Sequence, residues 1–86
     1  MPTLLYAHHH LRFARETVMP EPEVRAMLAE YGFSVANVSY RLIGGGRFFE
    51  YRMVIRTRDH RSTAALARRL SELPAVVAFR IAPTGD

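Results

Sequence analysis

Three consecutive glycines, Gly44-Gly45-Gly46, separate two runs in which apolar and polar residues alternate. Alternation with a period of two marks a strand with one buried face. Two such runs joined by a short glycine turn fold back on each other as an antiparallel hairpin. In the first run, residues 33–43, Phe33 and Val35 share one phase, and Val38, Tyr40 and Leu42 share the other. That change of phase predicts a β-bulge around Ala36–Asn37. In the second run, Arg47 to Arg58, the inward series Phe49, Tyr51, Met53, Ile55 alternates with Phe48, Glu50, Arg52, Val54, Arg56.

The flanking segments complete a doubled pattern. Residues 4–15 read as a strand, with Leu5, Ala7, His9, Leu11 and Phe13 opposite Tyr6, His8, His10 and Arg12. A loop punctuated by Pro20 and Pro22 follows. Pro22 suits the first position of a helix, where its missing N–H costs nothing, and Glu21 and Glu23 favour that end through the dipole. Val24, Met27, Leu28 and Tyr31 form one apolar stripe, and Gly32 ends the helix. After the hairpin, Asp59 or Ser62 is placed to cap a second helix. Its stripe is Leu66, Leu70 and Leu73 with Thr63 and Ala67, and Pro74 stops it. A last strand, Ala75 to Ala82, puts Val77, Phe79 and Ile81 on one face.

The order β-α-β-β-α-β predicts an α+β, ferredoxin-like fold with the first and third strands central. The sheet is four-stranded and antiparallel. Two helices with one stripe each cover only one of its faces, so the other meets water, a ligand or a protein. The 86 residues make a single domain, 1–86. A chain this short buries only about 60% of its unfolded surface, so pairing with a partner would add stability.

Composition narrows the function classes. There is no cysteine, hence no disulfide framework, thiolate zinc site or cysteine nucleophile. No apolar stretch approaches the ~20 residues of a membrane-spanning helix, and no signal-peptide pattern opens the chain. The formal net charge is +4, and all 12 basic residues are arginine. The absence of lysine fits the codon bias of a GC-rich genome. Charge is concentrated in residues 41–61, where six arginines face only Glu50 and Asp59. Such a cluster is either a footprint for an anion, nucleic acid or acidic membrane surface, or a solvated face that guards against edge pairing.

Each candidate motif has a structural explanation beside its chemical one. His8 and His10 point the same way on a strand, but with only His60 as a further imidazole the ligand set is incomplete, so no metal site is expected. The triple glycine leads into a strand without a lysine, unlike a phosphate loop. Phe48, Phe49 and Tyr51 beside Arg47 and Arg52 invite comparison with RNA-binding sheets, yet Phe49 and Tyr51 share the face opposite Phe48, and Glu50 stands where the RNA-recognition signature wants glycine. No serine has a compelling triad, so no enzyme and no cofactor are expected. Candidate interface or ligand residues are therefore His8, His10, Phe48, Arg52 and Arg56.

Tyr40-Arg41, Phe49-Glu50-Tyr51-Arg52, Leu73-Pro74-Ala75-Val76 and the closing Phe79-Arg80-Ile81-Ala82-Pro83-Thr84-Gly85-Asp86 resemble the C-terminal domain of the MgtC/SapB family. Members of that family are bacterial inner-membrane proteins linked to magnesium limitation and, in pathogens, to survival inside macrophages. They end in a small cytoplasmic domain similar to the ACT fold.

The resemblance implies a non-catalytic regulatory and interaction domain, excised from a longer protein whose N-terminal helices hold it at the cytoplasmic side of the inner membrane. The fragment itself would be soluble. It also implies a homodimer, or another protein partner, met through the open sheet face or a sheet edge. Amino-acid-binding ACT domains carry a glycine turn after the first strand. Here residues 16–22 hold no glycine, which argues against close backbone approach to a small amino acid. Two alternatives are a stand-alone sensor of a small ligand, anion or metal, and an RNA-binding sheet; nucleic acid is the less favoured.

Overall fold

The computed structural model describes residues 4–84. The Gly85-Asp86 end of the closing motif lies outside them. The elements are β1 (Leu5–Ala14), a short 3-10 turn (Arg15–Thr17), α1 (Glu21–Glu30), β2 (Ser34–Ile43), β3 (Phe48–Thr57), α2 (Ser62–Ser71) and β4 (Val76–Pro83). The strands form one sheet in the order β2-β3-β1-β4, with every neighbouring pair antiparallel. This is the ferredoxin-like arrangement, with β1 and β3 central as the doubled pattern requires.

The hairpin turn forms because all three of its glycines take positive φ, at 64°, 68° and 88°, a region closed to most side chains. The β2–β3 register slips between Val35 and Asn37, so the bulge lies where the change of phase places it. It brings Val35 and Val38 onto one face despite their odd spacing.

Both helices start and stop for local reasons. The carbonyl of Pro20 accepts the N–H groups of Glu23 and Val24 at 3.0 and 3.1 Å. Pro22 falls in the first turn, where the absence of its N–H is harmless. Past Tyr31, Gly32 turns to φ +82°, and the N–H of Phe33 returns to the carbonyl of Leu28 at 2.9 Å. These bonds satisfy carbonyls the helix end would leave open. At α2 the expected cap is corrected. Ser62 is already helical, and the side chain of the N-cap residue, Arg61, makes no cap hydrogen bond. Asp59 acts one step earlier: its carboxylate accepts the N–H of Arg61 at 3.0 Å, and its carbonyl accepts that of Ser62 at 3.0 Å.

The core lies between the helices and one sheet face. Leu11, Phe13, Val24, Leu28, Ile55, Leu66 and Leu70 are buried almost completely, each apolar side chain contributing roughly 1.5–3 kcal/mol relative to exposure. Two expectations are corrected here. Val77 does not share a face with Phe79 and Ile81. The register to β1 jumps from Phe13↔Val76 to Arg12↔Ala78, which makes Val77 the extra residue of a second bulge. Val76 takes its place against the core. In the histidine run, alternation predicts His8 and His10 exposed and His9 partly buried; His9 is instead fully buried and His10 half-buried.

The glycine-free segment after β1 is anchored rather than open. Val18 and Met19 pack against the core, and the Tyr51 hydroxyl donates to the Met19 carbonyl at 2.7 Å.

Candidate functional site

The sheet face away from the helices is built by the alternate positions of four strands. Cross-strand register sets its rows. One row runs Ser39, Arg52, His10, Arg80; the next runs Arg41, Glu50, Arg12, Ala78. A third runs Asn37, Val54, His8, Ala82, and Arg56 stands opposite Ser34. All five candidate residues (His8, His10, Phe48, Arg52 and Arg56) therefore share this open face. The face carries five arginines, Arg12, Arg41, Arg52, Arg56 and Arg80, against the single carboxylate of Glu50, a surplus of four positive charges.

Glu50 organises the centre. It is only 3% exposed although it lies on the open face, because two guanidinium groups cover it. Its Oε1 accepts Nε of Arg52 at 2.9 Å and its Oε2 accepts Nη2 of Arg12 at 3.2 Å. Burial works to raise its pKa, but the hydrogen bonds from Arg52 and Arg12 outweigh burial and hold the carboxyl below its ordinary value. Arg12 also lies over the Phe48 ring, 6.0 Å from its centroid.

His10 sits between Arg52 and Arg80 on the two adjoining strands. Burial and then Arg52 lower its pKa, so it is neutral at pH 7. Arg41 and Arg80 are exposed and take part in none of the ion pairs among the described residues. Arg56 holds Ser34 Oγ at 2.9 Å.

A hollow of about 190 Å³ opens beside Glu50, lined by His10, Arg12, Glu50, Ala78, Phe79 and Arg80. A larger one of about 480 Å³ lies at the start of α2, around Gly32, Thr57, Asp59 and Ser62. There Asp59 is already engaged by Arg61, and none of the candidate residues lines it. The open-face hollow is the better site because its charged groups converge without being used up.

The pattern of alternation places the five candidates on one face but does not single out Arg12, Arg41, Glu50 and Arg80. Arg12 and Glu50 appear there as ordinary outward positions. Only the β1–β3 register brings them together, across 38 residues of sequence. Arg80 joins them through its pairing with His10 across β1 and β4. Of the β3 aromatics, Phe48 alone faces outward. Tyr51 packs edge-on with both Tyr40 and Phe49, and Phe49 lies tilted against Tyr40, on the helix side. Among the described residues no group of three or more His, Cys, Asp or Glu side chains could hold a metal ion. No helix of the described residues is long and apolar enough to cross a membrane.

A ferredoxin-like domain with a basic, uncovered sheet face is thus the class that fold and site define. Among solved structures the chain is similar to the solution structure of the C-terminal domain of the MgtC protein from Mycobacterium tuberculosis. The TM-score is 0.69 at 15% identity, over 93% of this chain and 87% of that one. At this identity the likeness is one of fold. No family model matches the chain, and no curated protein matches it.

Proposed function

We propose that this chain is a non-catalytic regulatory and interaction domain of an MgtC-like protein, working by association through the β4 edge of its sheet. The observation that carries the reading is the pair Val77 and Phe79, 51% and 36% exposed on an edge strand whose outer backbone groups pair with no strand among the described residues. Such an edge recruits another strand unless it is covered or charged, and β4 carries one charge, Arg80. The β2 edge also exposes Tyr40 and Leu42. Self-pairing through the open face is disfavoured, since it would stack one arginine cluster on another.

The fold likeness to the MgtC C-terminal domain supports the family context. A place at the cytoplasmic side of the inner membrane and a link to magnesium limitation follow from the sequence resemblance alone. Sedimentation equilibrium at high micromolar concentration tests the association. Dimers that dissociate in Val77→Glu and Phe79→Lys support it, and a strict monomer overturns self-pairing. The family context is tested in the gene: apolar segments of ~20 residues encoded in frame upstream would join this domain to a membrane protein.

A further inference from the structure

The row Arg52, His10, Arg80 sets an imidazole between two guanidinium groups on three adjoining strands. The two arginines repel across it, and the carboxylate within reach, Glu50, is already divided between Arg52 and Arg12. Arg52 reaches Glu50 through Nε, and neither of its Nη atoms has a protein partner among the described residues. Arg12 is held by one nitrogen, Nη2. A buried carboxylate thus fixes two guanidinium groups, Arg12 in the lining of the hollow beside Glu50 and Arg52 in that of an adjoining one of about 280 Å³, the two hollows sharing His10. The small side chain of Ala78 forms part of the first lining, and Arg80 lines the same hollow. Across the two hollows, Arg12, Arg52 and Arg80 against Glu50 leave two positive charges.

We propose that the first hollow is a binding site for a phosphate group, taken as the dianion, with Arg12 and Arg80 as charged donors from its lining, Arg52 reaching in from the adjoining hollow, His10 as an N–H donor and Glu50 as the internal counter-ion that presets two of the arginines. Arginine suits the task because its planar fork pairs with phosphate oxygens two at a time. A divalent oxyanion neutralises the surplus of two charges, which a monovalent anion leaves half unmatched. This assignment is independent of how the β4 edge associates, since Arg80 and Ala78 use the face of that strand and pairing uses its backbone edge.

The test is an NMR titration of the 86-residue chain with inorganic phosphate at constant ionic strength, with chloride as the control anion. Saturable shifts centred on His10, Arg52, Ala78 and Arg80 are expected. Arg80→Ala removes an exposed, unpaired side chain, so it leaves the fold intact, and it should weaken binding by about tenfold or more, as loss of a hydrogen bond to a charged group does. Ala78→Glu, which puts a carboxylate into the hollow, should abolish binding, and Arg69→Ala on α2 should not change it. A phosphomonoester and vesicles containing phosphatidic acid, whose headgroup is itself a monoester, then separate the sources of the group. Saturation by the free monoester assigns a soluble ligand; saturation by phosphate with tighter retention on vesicles assigns a headgroup. Shifts matched by chloride, or unchanged in Arg80→Ala, overturn the site. So does vesicle binding without saturation by free phosphate, which would make the face a diffuse electrostatic surface.

Discussion

Nε of Arg52 donates to Oε1 of Glu50 at 2.9 Å, two residues back along the same strand. Neighbours at i and i+2 share a face of a strand, and with Arg12 closing from β1 the carboxylate is buried without being orphaned. Glu50→Ala should therefore destabilise the fold by about 1–3 kcal/mol at pH 7, because two guanidinium groups lose their common acceptor. The folded-state pKa of Glu50 is depressed. Its contribution is thus present above the ordinary carboxylate range and lost as pH falls below it. Urea unfolding of both proteins at pH 7 and pH 3 checks this, with the gap expected to shrink at the lower pH. An equal gap at both would mean that packing, not charge, is what the substitution removes.

His9 gives a second pH dependence, in a different window. Its ring is 0% exposed, and neither Nδ1 nor Nε2 has a hydrogen-bond partner. Burial, with a smaller contribution from His10, lowers its pKa from 6.5 to about 4. Between those values the unfolded chain takes up a proton that the folded chain refuses. Stability is full above pH 6.5 and declines as pH falls toward 4, by about 3 kcal/mol in total. His9→Leu should flatten the profile between pH 7 and 5, where carboxylates contribute little. A wild-type profile already flat there would show that the imidazole has found a partner.

The hydroxyl of Tyr51 joins the sheet to the loop before α1 through the carbonyl of Met19 at 2.7 Å. Tyr51→Phe keeps the ring and its edge-on packing with Phe13 and removes only that bond. The expected cost is about 1 kcal/mol. Amide hydrogen exchange should quicken in residues 17–19 before it does in β1 or β3. Uniform quickening would place the bond in the global stability rather than in the loop.

The turn glycines are not equivalent. A Cβ on Gly44 would fall 2.7 Å from Cδ2 of Phe48, at φ +64°, whereas one on Gly45, at φ +68°, meets nothing within 4 Å. Gly44→Ala combines a clash with a left-handed backbone and should cost more than the roughly 1 kcal/mol of backbone strain alone. Gly45→Asn, a residue that tolerates this conformation, should fold within about 0.5 kcal/mol of wild type. Thermal melts of the two variants rank them. The reverse order would mean that the turn rearranges around Phe48.

Strand order, helix positions and the β2 bulge are all legible in the residues, because each rests on local periodicity or on a glycine or proline. The β4 bulge is not. Val76 and Val77 are chemically identical, so no pattern tells which one meets Phe13. The five candidates fall on one face because alternation alone puts them there. The ion cluster around Glu50 stays hidden, since an outward glutamate in a strand reads as solvated until the pairing of β1 with β3 brings Arg12 across it. The depth of His9 is hidden for a related reason. Its phase is clear from Ala7 and Leu11, but the absence of any partner for its ring depends on both helices above it.

Three consecutive imidazoles on β1 thus stand in different media, one of them in the dry interior and its two neighbours on the basic face. The chain carries its own reporters. A single proton spectrum followed through a pH titration reads the integrity of the core from the ring of His9 and the occupancy of the outer face from that of His10, in one sample and without a label. Ligand that settles on the face should move one resonance and leave the other still, while loosening of the packing should bring both toward the behaviour of an unfolded chain.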